Sequence, residues 1–407
     1  MTGIHDSVQR EFEKNLGLVT ELSHKINARP ELAFEEHETS ASIVEVLRDS
    51  GKFTVEKGVA GLPTAFVASA GSGELAFGLC AEMDALPDIG HGCGHNVIAA
   101  AAVGAALALA PFAEELGLTV RVFGTPAEES GTGKEIMVNR GVFDGTHAAM
   151  MVHPSLKDVV TPQLRAARSW RITYTGRGGH ASRPWSALNA ADATVVAQTA
   201  IGLLRQQLRD GIRVHHVVRE AGAAVNVIPD HAVADCMIRA DTIAEVDEVW
   251  ERVRVCFDAG AVATGTGVEY EALPSIYREF RHDQDLAPLF EAHARTLGRT
   301  FPDYPDKMFG STDMGNVSLR IPALHPMLSF DLPAEAGNHT AAFATAAGGA
   351  DGDRFVRDGG LAMALTIADV ARSAPIRARL LRNPARPAAT GRAVYRTMPE
   401  TKSKPID

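Results

Sequence analysis

A strand that is apolar on both faces has to lie inside a sheet covered on both sides, and this chain carries three such runs. They are LAFGLCA (75–81), TVRVFGT (119–125) and AAMMVHP (148–154). Helical patterns alternate with them, so the expected fold class is α/β, a mostly parallel sheet covered by helices. Each run is met at once by ionisable residues. Glu82 and Asp84 follow the first, Glu128 and Glu129 the second, and His153 closes the third. In open α/β sheets the ligand crevice lies at the carboxyl ends of the strands, so chemistry is expected where these residues gather.

The middle of the chain follows another pattern. SWRITYTG (169–176) reads as a strand, 187–209 as an amphipathic helix, 213–218 and 231–239 as strands, 242–260 as a helix and 268–273 as a strand. That order, β-α-β-β-α-β, is ferredoxin-like. At 407 residues the chain exceeds one ordinary core. The expectation is a discontinuous catalytic domain (1–167 and 275–374) interrupted by an inserted ferredoxin-like domain (168–274). Residues 375–407, rich in Pro, Arg and Ala, read as a basic, loosely ordered tail.

That tail holds eight Arg and Lys against two acids, so it carries +6 of a net −10 and leaves the rest near −16. Such a charge argues against a nucleic-acid partner, which clustered cations would have to bind. The Ala-rich stretch 98–110 is too short to span a bilayer, so a buried helix and no membrane partner are expected. The opening MTGIHDSVQREFEKN lacks the apolar run of a secretory signal. Cys80, Cys93, Cys236 and Cys256 show no disulfide spacing, which fits a reduced, cytoplasmic setting.

Four clusters carry candidate chemistry. In HGCGHN (91–96) two glycines let the backbone turn so that Cys93 and His95 face one point, a plausible soft metal pair. In GTPAEES (124–130) the adjacent Glu128 and Glu129 cannot both ionise cheaply without a cation or hydrogen bonds, so one can ligate while the other acts as base. MVHP places His153 at a strand end, and GNHTAAF (337–343) places His339 just before a helix start at Thr340. Singly, each also fits a structural role; together they supply the ligands of a two-metal site. GTGK (131–134) resembles the end of a phosphate-binding loop, but Glu128 occupies the place of the required first glycine, which excludes that reading.

The ordered set EMDALP, HGCGHN, GTPAEE, MVHP, GGHAS, NVIPD, GSTDMGN and NHTAAF resembles the M20 metallopeptidase family, in its amidohydrolase-like branch. It looks most like the branch's dipeptidases of the M20 domain-containing 2 type; aminobenzoyl-glutamate hydrolases and aminoacylases are more distant. The resemblance runs from about Glu31 to about Val370. It implies Cys93, His95, Glu129, His153 and His339 as ligands of two divalent ions, Zn²⁺ or Mn²⁺. Glu128 matches the general base and Asp84 the acid that supports the site. Glu82 stands where the wider superfamily has a ligating His.

The inserted domain matches the family's lid and dimerisation domain, which implies a homodimer. His180 in GGHAS matches the residue that reaches the partner's site to stabilise the oxyanion, and Asn226 and Arg239 match positions that hold the substrate carboxylate. Ser311, Thr312 and Asp313 are expected to line the pocket. The implied reaction is hydrolysis of an amide next to a free carboxylate, in a dipeptide or N-acyl amino acid, by metal-activated water. An aminoacylase or aminobenzoyl-glutamate-type amidase, and an inactive ligand-binding relative, are the alternatives.

Overall fold

The structure is a computed structural model and describes residues 3–304, 307 and 310–382. The chain opens with helices α1 (Ile4–Asn27) and α2 (His37–Asp49) and continues through β1 (Thr54–Lys57), β2 (Phe66–Ala70) and β3 (Leu75–Glu82). Next come α3 (His95–Leu109), α4 (Ala113–Leu116), β4 (Leu118–Thr125), α5 (Gly133–Asn139), β5 (Ala148–Met150) and β6 (His153–Ser155). The middle comprises β7 (Ala166–Thr175), β8 (Gly179–His180), α6 (Ala190–Leu204), β9 (Arg213–Glu220), β10 (Val227–Ile228), β11 (His231–Ala240), α7 (Ile243–Thr264) and β12 (Gly267–Tyr277). The last part holds α8 (Leu286–Thr296), α9 (Met314–Ser318), β13 (Ala323–Leu324), β14 (Met327–Ser329), α10 (Ala341–Ala347), α11 (Ala350–Arg372) and α12 (Ala374–Leu381).

The fold is mixed α/β with a mainly parallel sheet. Its six strands run in the order β1-β2-β4-β3-β5-β13, and β4, β3, β5 and β13 are mutually parallel. All eight residues of β3 are buried, as its apolar composition requires. One face, with Phe77 and Leu79, packs into a core shared with α1, α3 and α11; the other meets a second core around Cys80, Phe123 and Met137. Helix α3 is apolar enough to cross a membrane by composition, but all fifteen of its residues are buried and it packs between α1 and α11. Its burial follows from an Ala-rich surface that lets neighbouring helices approach closely.

A second sheet, order β12-β7-β11-β9, is antiparallel throughout, and α6 and α7 cover one face. Its core (Trp170, Ile172, Tyr174, Trp250 and Phe257 among others) is separate from the first two. Strand β12 runs on to Tyr277, past the expected 274/275 junction, with a register shift between Ala272 and Ile276.

Two expectations are corrected. The run 148–154 is not one strand: β5 stops at Met150, and His153 opens β6, which pairs with β14. Across the break the two segments stay side by side, the Met151 and His153 N–H groups donating to the Leu324 and Pro326 carbonyls. The expected tail is likewise ordered at its start, as α12. Pro375 suits a first helical turn; Leu380 is fully buried, and Arg377 donates to the Leu116 and Gly117 carbonyls. Residues 383–407 of that stretch lie outside the described residues. Because Leu380 fills the main core, Leu380→Ala is expected to lower unfolding stability by about 2–5 kcal/mol, read by denaturant titration.

Candidate metal centre

The parallel register pairs Glu82, the last residue of β3, with Thr125, the last of β4. The loops leaving both strands therefore emerge side by side. Asp84 sits two residues beyond β3 and is buried. Its Oδ1 accepts the Glu128 N–H (3.0 Å), its Oδ2 accepts the Glu129 N–H (3.0 Å), and His95 Nδ1 lies 3.1 Å from Oδ1. Nδ1 therefore carries the ring proton and Nε2 is turned toward the site, the arrangement that orients metal-binding imidazoles. Burial favours a neutral His95, but Glu82 and Asp84 outweigh it and hold the imidazole well above its ordinary value. Surroundings that attract a proton so strongly attract a metal cation equally well.

The HGCGHN loop needs its glycines. Gly94 has φ +78°, and a Cβ there would sit 2.5 Å from Pro154 Cγ; a Cβ on Gly92 would sit 2.6 Å from Ile89 Cγ2. The turn brings Cys93 Sγ within 3.5 Å of His153 Nε2. His153 Nδ1, 2.7 Å from the Pro154 carbonyl, donates there and leaves Nε2 free to ligate. His339 adopts φ +69°, a strained conformation for a non-glycine residue. Its N–H donates to the Gly92 carbonyl, and the following helix is capped by Thr340, whose hydroxyl accepts the Phe343 N–H. His339 Nε2 lies 3.5 Å from Glu129 Oε1.

Two donor groups result. Cys93, His95 and His153 offer atoms within 4.8 Å of one another, and so do Cys93, Glu129 and His339. Cys93 belongs to both. Burial pushes the thiol well above its usual range and Glu129 adds to this, so a cation is what the thiolate form requires. His95 Nε2 and Glu129 Oε1 are buried without a hydrogen-bond partner. Sulfur, imidazole and carboxylate donors in this arrangement fit a pair of divalent transition-metal ions.

The adjacent glutamates have opposite characters. Burial pushes Glu128 well above the usual carboxylate range, and Glu82, Glu129 and Asp313 push it further. Burial also raises Glu129, but the neighbouring His339 imidazole and the His95 charge reverse that and hold it below the ordinary value.

The donors line a cleft of about 290 Å³. Arg239 lines it too, half-buried, with Nη1 donating to Ser311 Oγ at 2.9 Å. A larger cavity, about 650 Å³, lies behind the glycine loop along residues 86–91, but the converging donors are in the smaller one. Of the ten residues singled out in the sequence, Asp84, Cys93, His95, Glu128, Glu129, His153, His339 and Arg239 come together. His180 and Asn226 do not. They sit side by side at the β8–β10 pair, exposed and outside the cleft, with the Ala181 N–H donating to the Asn226 carbonyl.

Ser311 and Thr312 line the cleft as expected, but Asp313 is buried beneath it against Lys134. Sequence reading also missed Tyr277, whose hydroxyl donates to the Glu128 carbonyl at 2.8 Å, and Asn338, whose amide donates to the Pro154 carbonyl. His325 was missed as well; it stacks on His153 at 5.6 Å between ring centres. Asn338, next to His339, was the one with a local signal.

The sequence profile of peptidase family M20/M25/M40 matches residues 78–344. The chain is 34% identical over 367 residues to an Xaa-Arg dipeptidase of Mus musculus, spanning 86% of this chain and 84% of that protein. It is 32% identical over 293 residues to a p-aminobenzoyl-glutamate hydrolase component of Escherichia coli K12, spanning 66% of this chain and 60% of that protein. Its fold is like that of a dinuclear metal-binding M20 peptidase of Bacillus subtilis, at TM-score 0.63 and 20% identity over 88% of this chain and 99% of that one. These matches show that the chain belongs to peptidase family M20 and is a hydrolase of the metallo-amidohydrolase/dipeptidase kind.

Proposed function

We propose that this chain hydrolyses an amide bond adjacent to a free carboxylate, in a dipeptide or N-acyl amino acid. The observation that carries the reading is the convergence of two donor groups sharing Cys93 beside Glu128, in a cleft that also holds Arg239. The more extensive similarity to Xaa-Arg dipeptidases than to aminobenzoyl-glutamate hydrolase favours a dipeptide over an aminobenzoyl-glutamate-type amide or an aminoacylase substrate.

Cys93, His95, Glu129, His153 and His339 would hold two divalent ions, Zn²⁺ or Mn²⁺. Bound there, the ions supply Lewis acidity, lowering the pKa of water and drawing charge from the amide carbonyl. Glu128 takes the proton of the attacking water. As the C–N bond breaks it returns that proton to the leaving nitrogen, so no acyl-enzyme forms. The guanidinium of Arg239 meets the substrate carboxylate as a fork, and Asn226 adds a hydrogen bond to it.

In this reading residues 1–167 and 275–374 form the catalytic domain, and 168–274 a ferredoxin-like lid through which two copies pair. His180 and Asn226, outside the cleft of their own chain, then reach the site of the other copy, where His180 of the partner subunit donates to the oxyanion. The free cysteines suit a reduced, cytoplasmic setting.

The substrate class is tested by blocking its carboxylate. A charged hydrogen bond lost is worth roughly 1.5–3 kcal/mol, so a dipeptide amide should show kcat/KM about 10–100-fold below the free dipeptide. Equal values would remove the carboxylate from the reading, and no cleavage of any dipeptide or N-acyl amino acid by the metal-loaded chain would favour a ligand-binding relative. Glu128→Gln should lose about 10²–10⁴-fold in kcat at unchanged metal content by elemental analysis. Metal loss would mean that the two glutamates exchange roles.

His180→Ala should also be nearly inactive with its metals intact. Mixed with Glu128→Gln under subunit exchange, it forms dimers in which one site has both its own Glu128 and a wild-type His180. About half of randomly paired dimers are mixed, so activity should return to about one quarter of wild type. No recovery despite proven exchange would place His180 within its own chain or remove the lid dimer.

A further inference from the structure

Beneath Glu128 lies a layer of charge that hydrolysis itself leaves unused. Lys134 stands in the first turn of α5, just after the loop that carries Glu128 and Glu129, and its side chain is wholly buried. Nζ lies 2.6 Å from Glu82 Oε1 and 2.6 Å from Asp313 Oδ1, and the Lys134 N–H donates to Asp313 Oδ2 at 2.9 Å. Glu82 and Asp313 are both 0% exposed. Burial alone would favour the neutral amine, but Asp313, Glu82 and Glu128 more than reverse this and keep it an ammonium.

Glu82, Glu128 and Asp313 bring carboxylate oxygens within 4.8 Å of one another, close enough to hold a cation. The lysine ammonium already pairs with two of them. Glu82 is thereby divided: Oε1 is held by Lys134, while Oε2, buried without a hydrogen-bond partner, faces His95 Nε2 at 3.4 Å. The same lysine closes the loop. Asp84 holds the Glu128 and Glu129 N–H groups at its start, and Asp313 holds both nitrogens of Lys134 at its end. Between these anchors the loop has no slack, since a Cβ on Gly133 would sit 2.0 Å from the Pro126 carbonyl oxygen.

We propose that Lys134 is a positioning residue: a built-in cation that occupies the Glu82–Glu128–Asp313 trio, keeps a further divalent ion out of it, and fixes the loop presenting Glu128 and Glu129. The inference rests on the metal-dependent reading above. A tethered ammonium neutralises carboxylates without offering an open coordination position, so Glu82 Oε1 stays committed to it.

Lys134→Met keeps the side chain's length and removes its charge. Charged with excess Mn²⁺ or Zn²⁺ and dialysed, it should hold one ion more per chain than wild type by elemental analysis. Its kcat should fall about 100-fold with KM within about threefold, the pattern of a misplaced reacting group with substrate binding retained. If it is unstable without metal, the divalent ion should raise its Tm more than that of wild type. The Glu82→Gln/Lys134→Met/Asp313→Asn triple variant buries no unpaired charge there. It should fold, hold the wild-type number of ions and stay slow. No extra ion in Lys134→Met, whether folded or beyond rescue by divalent ions, overturns the cation role. Wild-type kcat in the triple variant overturns the positioning role. Because ion counts need no turnover, a wild-type chain that cleaves no amide would end the hydrolytic reading while the count still decides the place of Lys134.

Discussion

The site depends on one carboxylate. Asp84 accepts the N–H groups of Glu128 and Glu129 and the ring N–H of His95, and so joins the ends of β3 and β4 to the first residue of α3. Hydrogen bonds to a charged group are worth roughly 1.5–3 kcal/mol each, enough for three to fix a loop in one conformation. They decide which nitrogen of His95 faces the metal position and where each glutamate points. Two neighbouring residues of the same kind thereby acquire different surroundings: Glu129 turns to His339 and Cys93, while Glu128 lines the same cleft from a more buried place.

Around Asp84 the charge is one-sided. Glu82, Asp84, Glu128 and Asp313 are buried, and Glu129 nearly so, with Lys134 the single buried lysine among them. So many buried carboxylates need cations to offset them, and Lys134 supplies one. The apolar layers on either side of the sheet, from Phe77 and Leu79 on one face to Phe123 and Met137 on the other, stabilise the framework that carries this unfavourable charge.

Much of this was legible in the sequence because the signals were local. An apolar run that ends abruptly in Glu82 and Asp84, or in Glu128 and Glu129, shows both the strand and the place where it stops. The Thr340 cap told where His339 would stand. Other features were hidden for physical reasons. The break at Met151–Val152 lies inside an unbroken apolar run, so composition showed a single strand. Helix α12 was masked by Pro and Arg, although Ile376, Leu380 and Leu381 supply its buried side. Lys134 and Asp313 meet across 179 positions of sequence. No spacing rule reaches that far, and the motif containing Lys134 suggested only a phosphate loop that could be dismissed.

The second sheet reaches the cleft through two strands. Arg239, on β11, reaches the cleft and is held there by Ser311 from the other part of the chain. Strand β12 pairs with β7, shifts register between Ala272 and Ile276, and then places the Tyr277 hydroxyl on the Glu128 carbonyl and the Ser275 hydroxyl on that of Ser130. Arg239 and the glutamate loop thus belong to different parts of the chain and are linked through β7 and β12, whose last residues bond the loop. The irregularity at 272–276 lies where β12 leaves its sheet for the glutamate loop, so a shift of the second sheet would reach Glu128 through Ser275 and Tyr277.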